Sequence, residues 1–220
     1  MRIAHAESLI SMSEPAPTVY VVDDDPEVLK AIERLLQSIG LNVVTFPSPH
    51  SFLERYDRDA PGCLVLDFAL PGLSGLELQR ILEQEARLLP IVFLTGRGDI
   101  ATSVQAMKHG AADFLTKPVD ETELIGAIQE ALTRDRALRG ARGERQRIAK
   151  CLATLTGRER QVLEQIVAGR LNKQIAAELG TAEKTIKFHR ANLMRKMGVR
   201  VVVDLVKLAE RAGVGSTPRT

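Results

Sequence analysis

The sequence predicts a doubly wound α/β domain on a five-stranded parallel sheet, followed by an all-α domain of four short helices. Three observations predict it. Short apolar runs alternate five times with amphipathic stretches over residues 18–135, the pattern of successive βα units. Polar groups stand immediately after four of those runs: Asp23 and Asp24, Asp67, Thr95, and Lys117-Pro118. Beyond residue 152 the strand-like runs stop, and helix-capping residues recur with glycine stops.

The elements follow in order. Thr18-Val-Tyr-Val-Val22 is a buried-strand run that ends at Asp23-Asp24. Pro26 suits a first helical turn and Gly40 a helix stop, so a helix is predicted over 26–39. A strand over 42–46 and a helix over 48–56 come next. Cys63-Leu-Val-Leu66 centres a strand over 62–66, and 75–88 reads as helix. Ile91-Val-Phe-Leu94 marks a strand over 90–94, followed by a helix over 99–109, a strand over 112–116 and a helix over 120–135. Units of this length connect by crossovers that place helices on both faces of the sheet.

Residues 136–151 read as a linker, helical at its start and weakened by Gly140 and Gly143. It carries Arg136, Arg139, Arg142, Arg145, Arg147 and Lys150, a basic set that reads as a solvated connection or a contact to DNA. Thr156-Gly-Arg-Glu159 matches a capping box, and Val162, Leu163, Ile166 and Val167 then form an apolar face. Gly169 stops that helix. Asn172 is expected to cap a second helix over Lys173–Leu179, and Thr181 a third over Ala182–Met197. Gly198 precedes a fourth over Val201–Ala212. Two helices joined through Gly180-Thr181 are a helix-turn-helix signature. The domain boundaries are thus 18–135 and 152–213. A flexible extension over 1–17, where Met12 offers a second start, and a tail over 214–220 flank them.

Composition sets bounds on function. A chain of 220 residues that is 45% hydrophobic has enough apolar mass for packed cores. No apolar run approaches the ~18 residues of a membrane span, and the N-terminus lacks a signal-peptide core, so a cytoplasmic protein is expected. Cys63 and Cys151 make no disulfide framework and read as reduced thiols. The net charge of +2 conceals a division. Residues 18–133 hold 9 Lys/Arg against 18 Asp/Glu, whereas residues 134–220 hold 20 against 8. A basic half of that size points to nucleic acid or an anionic membrane, and the asymmetry points to two different tasks.

The carboxyl edge of a parallel sheet is where sites form in open α/β folds. Asp23, Asp24 and Asp67 would converge there, and three acids repel one another unless a cation joins them. A hard, oxygen-binding ion such as Mg²⁺ or Mn²⁺ is the natural occupant. Such a site suits metal-assisted phosphoryl chemistry.

The set Asp23-Asp24, Asp67, Thr95 and Lys117-Pro118 resembles the response-regulator receiver domain, a flavodoxin-like fold. The likeness covers about residues 18–135, and Leu94-Thr-Gly-Arg-Gly-Asp99 with Ala106-Met-Lys-His-Gly-Ala-Ala-Asp-Phe114 is similar to the FixJ branch. The resemblance implies that Asp67 accepts a phosphoryl group from a phosphohistidine on a sensor histidine kinase. It implies that Asp24, Asp67 and the Phe68 backbone carbonyl bind Mg²⁺ (or Mn²⁺) directly and that Asp23 acts through water. Lys117 would pair with the phosphoryl group or with Asp67, and Pro118 would follow a cis peptide bond. Thr95 and Phe114 would form a switch pair in which a new acceptor becomes a packing change. The alternative is a Phe114 buried in both states. Ala69 and Arg97 would border the entry for attacking water.

Residues 154–213 resemble the LuxR-type helix-turn-helix of FixJ and NarL regulators. The likeness is carried by Leu155-Thr-Gly-Arg-Glu-Arg-Gln-Val-Leu163, Asn172-Lys-Gln-Ile-Ala-Ala-Glu-Leu-Gly180 and Lys184-Thr-Ile-Lys-Phe-His-Arg-Ala-Asn-Leu-Met-Arg-Lys-Met-Gly198. Ile186, Leu193 and Met197 fall on one side of the third helix and should pack inward, with His189 between them. Lys184, Lys187, Phe188, Ala191 and Arg195 fall opposite and would enter the major groove. Asn172, Lys173, Thr185 and Arg190 are placed for phosphates. His189 reads as a packed or phosphate-contacting residue rather than a metal ligand. Val201, Val202, Val203, Leu205, Val206 and Leu208 exceed what one small core needs. In the family this helix pairs two domains, and burial within one monomer is the alternative.

The combined expectation is a phosphorylation-controlled DNA-binding transcription regulator, not a stand-alone enzyme, with Mg²⁺-dependent self-phosphorylation and autodephosphorylation. Implied partners are a sensor histidine kinase, double-stranded DNA with paired half-sites, a second copy on phosphorylation, and RNA polymerase, with no membrane. Two other classes compete. A phosphate-independent DNA-binding regulator with a vestigial receiver is countered by the intact acid set. A haloacid-dehalogenase-type aspartyl-phosphate phosphatase needs Asp-x-Asp-x-Thr/Val after its first strand, but Asp23-Asp-Asp-Pro-Glu27 has Glu27 there and no cap insertion follows.

Overall fold

A computed structural model of the chain describes residues 15–85, 89–96 and 107–214. The chain divides into two compact units, Met1–Arg139 and Gly140–Thr220. The first is a parallel sheet of β1 (Thr18–Val22), β2 (Asn42–Phe46), β3 (Gly62–Asp67), β4 (Ile91–Thr95) and β5 (Asp113–Thr116). The strand order is β2-β1-β3-β4-β5, with every pairing parallel. Each strand lies within a residue or so of its predicted span.

The central strands β1, β3 and β4 are buried along almost their whole length because both faces are covered. Tyr20, Val22, Leu64, Leu66 and Phe93 pack on one face with Phe52 of α2 (Pro49–Arg55) and Leu78 and Leu82 of α3 (Gly75–Gln84). Val19, Val21, Cys63, Val65 and Val92 pack on the other with Leu29, Ile32 and Leu36 of α1 (Pro26–Ser38) and Leu124 and Ile128 of α4 (Glu121–Ala153). Alternation of side chains along each strand divides these two cores. Burial holds the Cys63 thiol far up, at about 12, so it stays protonated.

The helix starts obey capping chemistry. Asp25 caps α1, Ser48 caps α2, and Ser74 with Glu77 forms a full capping box on α3. The predicted helix over 99–109 falls largely outside the described residues, as do Arg97 and residues 86–88 of the predicted 75–88 helix.

Helix α4 continues through Gly140 and Gly143, where the sequence suggested a weakening. Each glycine costs a helix about 1 kcal/mol relative to alanine. Packing supports both ends: Leu124, Ile128 and Ala131 are buried in the first unit and Ile148 in the second.

The second unit adds α5 (Gly157–Val167), α6 (Asn172–Glu178), α7 (Glu183–Lys196) and α8 (Val202–Arg211). Val162, Leu163, Ile175, Ile186, Leu193 and Leu205 are buried together in its core. Thr156 and Glu159 form the predicted capping box. Two cap assignments need correction. Leu171, not Asn172, occupies the N-cap of α6, and Ala182, not Thr181, that of α7; neither makes a side-chain cap bond. The Asn172 oxygen instead accepts from Arg190 Nη1 at 2.9 Å, a long-range partner that local sequence does not reveal.

Candidate functional site

Strand order places the first site. The connection from β1 runs outward to β2 and then returns to β3, so the sheet's switch point lies between β1 and β3. Asp23 follows the last residue of β1 and Asp67 is the last residue of β3; Val22 pairs with Leu66 just inside. Asp23, Asp24 and Asp67 each present a carboxylate oxygen within 4.8 Å of the others. Asp23 and Asp67 are buried, whereas Asp24 is exposed, so the cluster opens to solvent on one side.

Lys117, just beyond β5, closes the arrangement. Its Nζ donates to Asp23 Oδ2 at 2.6 Å and lies 3.1 Å from Asp67 Oδ1. The contact to Asp23 was not anticipated. The Lys117-Pro118 peptide bond is cis, as the resemblance implied. The Lys117 backbone N–H donates to the Thr95 carbonyl at 2.6 Å, joining the two strand ends. Asp23 Oδ1 also accepts the Asp25 N–H at 3.0 Å, which ties the cluster to the start of α1.

Electrostatics define what the cluster can hold. Burial raises the Asp67 pKa, the Lys117 hydrogen bond and charge lower it, and Asp23 and Asp24 raise it again; the balance is upward. Burial lowers that of Lys117, but its bonds to Asp23 and Asp67 outweigh this and hold the ammonium charged. Three carboxylates against one ammonium leave a formal charge of −2 when all are ionised. Hard oxygen donors with that residual charge fit a divalent cation.

Thr95 is buried at the end of β4, and Ala69 is exposed next to the acids. Phe114 is half-buried and packs against the core on that face of the sheet. Its ring centroid lies 6.0 Å from Phe68 and 6.1 Å from Phe93. The residue after Asp67 is therefore in contact with the expected switch aromatic. Phe68 donates its N–H to Leu94, and its carbonyl accepts from Gly75 at 3.3 Å, leaving one lone pair. Gly75 is required here: a Cβ would sit 2.8 Å from the Asp67 carbonyl oxygen and 3.0 Å from the Phe93 ring.

The second site is the outer face of α7. Lys184, Lys187, Phe188, Ala191 and Arg195 are exposed together, while Ile186, Leu193 and Met197 are buried opposite. Phe188 is 63% exposed, an unusual state for so large an apolar ring. Lys173 is exposed, and Asn172, Thr185, Arg190 and His189 are half-buried. Lys187 rests on Glu183 one turn back, at 3.1 Å between exposed groups. Asn172 and Arg190, both expected at phosphates, are bonded to each other and fix the start of α6 against α7.

A partly buried link positions α7 from its other end. Lys196 donates to Glu159 Oε2 at 2.7 Å and to the Thr154 carbonyl at 2.9 Å. The Lys196 hydrogen bond first, and then the Thr156 N–H, pull the Glu159 pKa down. Sequence reading identified Glu159 as a cap but not as this anchor. On α8, Leu205 and Ala209 are buried, whereas Val203 and the N-cap residue Val201 are 62% and 53% exposed. Among the described residues no helix is long and apolar enough to cross a membrane.

Comparison with known proteins identifies both domains. Residues 19–129 match the model of the response regulator receiver domain, and residues 153–209 match that of bacterial regulatory proteins of the luxR family. The response regulator protein TodT of Pseudomonas putida is 45% identical over 200 residues, 91% of this chain and 88% of its own. The structure of the response regulator StyR is 46% identical, with a TM-score of 0.82 over 89% of this chain and 99% of its own. Full-length FixJ from B. japonicum is 38% identical, with a TM-score of 0.55 over 90% of this chain and 97% of its own.

Proposed function

The chain belongs to the response regulators that join a receiver domain to a LuxR-type DNA-binding domain, and on that premise we propose that Asp67 is its phosphoacceptor and α7 its reading helix. The observation that carries this is the buried Asp23–Asp67–Lys117 constellation at the sheet's switch point, open to solvent at Asp24.

In this reading a sensor histidine kinase is the donor. An Asp67 carboxylate oxygen forms the new P–O bond as the P–N bond of the donor phosphohistidine breaks, and the electron pair stays with the imidazole. Asp24, Asp67 and the Phe68 carbonyl would hold Mg²⁺ or Mn²⁺ directly, with Asp23 through water. Bound there, the ion supplies neutralising charge to the transferring oxygens. Lys117 can follow the charge, since its ammonium already lies between Asp23 and Asp67 and has three protons to donate. The Thr95 hydroxyl donates to a phosphoryl oxygen, and Phe114 repacks against Phe68 and Phe93. Phosphorylation thereby favours a homodimer whose two output domains bind paired half-sites on double-stranded DNA and act on RNA polymerase. The exposed Val201 and Val203 suit pairing of the output domains.

Acid-labile phosphoryl uptake tests the site. Acetyl phosphate with Mg²⁺ should load the wild type, and Asp67→Asn should take up none while keeping its circular dichroism. Normal yield in Asp67→Asn would move the acceptor elsewhere.

A further inference from the structure

We infer that the exposed side of the helix segment Gly140–Ala153 is a second, sequence-independent contact for nucleic-acid phosphates, in addition to the α7 face. The inference rests on the DNA-binding reading above. Arg142, Arg145, Arg147 and Lys150 are all exposed there. Glu144 is the one acid in this stretch, and Arg211 of α8 engages it. Among the described residues none of the four cations has a carboxylate within ion-pair reach.

Position on the helix selects the ligand. Ile148 is buried, and Cys151 and Leu152 pack against the second unit's core. Arg142, Gln146 and Lys150 follow one another at i, i+4 and i+8 along the side opposite Ile148. Arg145 and Arg147 flank that line. Like charges at i, i+3, as in Arg142/Arg145 and Arg147/Lys150, destabilise an isolated helix. A polyanion relieves that repulsion. An anionic bilayer fits less well, because the segment's large apolar residues, Ile148, Cys151 and Leu152, are committed to the core, which leaves only alanines to face a lipid interface. From Arg142 to Lys150 the helix rises about 12 Å, so one phosphate strand meets two or three of the cations at once.

The test is anisotropy of the full chain on a fluorescent, random-sequence 40-bp duplex across a salt series. Each lost phosphate contact lowers the slope of log affinity against log salt by about 0.9. Replacing Arg142, Arg145, Arg147 and Lys150 together by Gln keeps helix propensity, and should flatten the slope by about two and weaken binding at least tenfold near 0.1 M salt. Replacing the three arginines by Lys keeps charge and should keep the slope, which separates electrostatics from misfolding. Lys173→Ala is the reference for a contact belonging to the helix-turn-helix. An unchanged slope in the Gln variant, with Lys173→Ala still effective, overturns this inference and leaves DNA binding intact. No salt-dependent affinity in the wild type overturns both. Loss of binding to phosphatidylserine vesicles with an unchanged DNA slope assigns the face to a membrane and also overturns it.

Discussion

Asp67 sits in the folded protein with its pKa above the ordinary carboxylate value of 3.8, burial being the largest cause. An acid raised on folding stabilises the fold while protonated and gives that up as pH climbs through the folded value. The wild type should therefore lose stability relative to Asp67→Asn as pH rises from below 4 to 7. At neutral pH without divalent ions, thermal melts should place Asp67→Asn above the wild type, and Mg²⁺ should narrow the gap by binding the native acids. A variant that melts below the wild type at neutral pH would show that the Lys117 contact outweighs the burial cost. Lys117→Ala should act in the opposite sense, because it leaves buried Asp23 and Asp67 without their ammonium. This much of the site was legible in sequence, since each residue closes an apolar run and parallel strands bring such ends together. The 2.6 Å contact of Lys117 to Asp23 was not legible: it joins residues 94 apart and depends on side-chain reach rather than spacing.

At the scale of elements, the strand that ends in Asp67 is fastened at its other end to α4. Asp135, buried in α4, accepts the Gly62 N–H at 2.9 Å and both its oxygens accept from Arg139 Nε. Arg139 also donates to the Asp59 and Ala60 carbonyls. Gly62 is needed for the pairing of β3 with β1 at this end, because a Cβ would sit 2.0 Å from the Thr18 carbonyl oxygen. Asp135→Ala leaves the buried Gly62 N–H without its acceptor and takes the carboxylate, but not the two carbonyls, from Arg139, and should cost about 1–3 kcal/mol in urea unfolding. A cost under ~1 kcal/mol would mean that water replaces the carboxylate. Nothing in the pattern around Asp135 announced this role, for a charged residue on a helix usually reads as a solvated face. Element positions were legible because apolar runs and caps fix them locally. Asn172 shows the limit: its oxygen looked like a cap until a partner 18 residues away claimed it. For α7, the outward Lys187 and the α6 Lys173 should differ in kind. Lys187→Ala should cost about 1–3 kcal/mol on the cognate site and much less on scrambled DNA. Lys173→Ala should weaken both alike and remove about one phosphate from the salt slope. Equal losses on both duplexes for Lys187→Ala would take that residue off the base edges.

At the scale of the whole molecule, an acidic α/β unit precedes a basic helical one, a division visible in the count of charges along the chain. Sequence fixed neither the run of α4 through two glycines nor the packing that supports it. The proposed function couples the two tasks: a phosphoryl group on Asp67 alters binding at α7. Such linkage is commonly about 1–3 kcal/mol, or 5–150-fold in affinity. The most direct measurement is the affinity of the full chain for its promoter duplex, with sedimentation of the same samples, before and after acetyl phosphate and Mg²⁺. Tighter DNA binding and a shift from monomer to dimer are expected in the wild type, and neither change in Asp67→Asn. Equal affinity with and without the phosphodonor, in a wild type verified to carry the acid-labile phosphoryl group, would rule out this coupling.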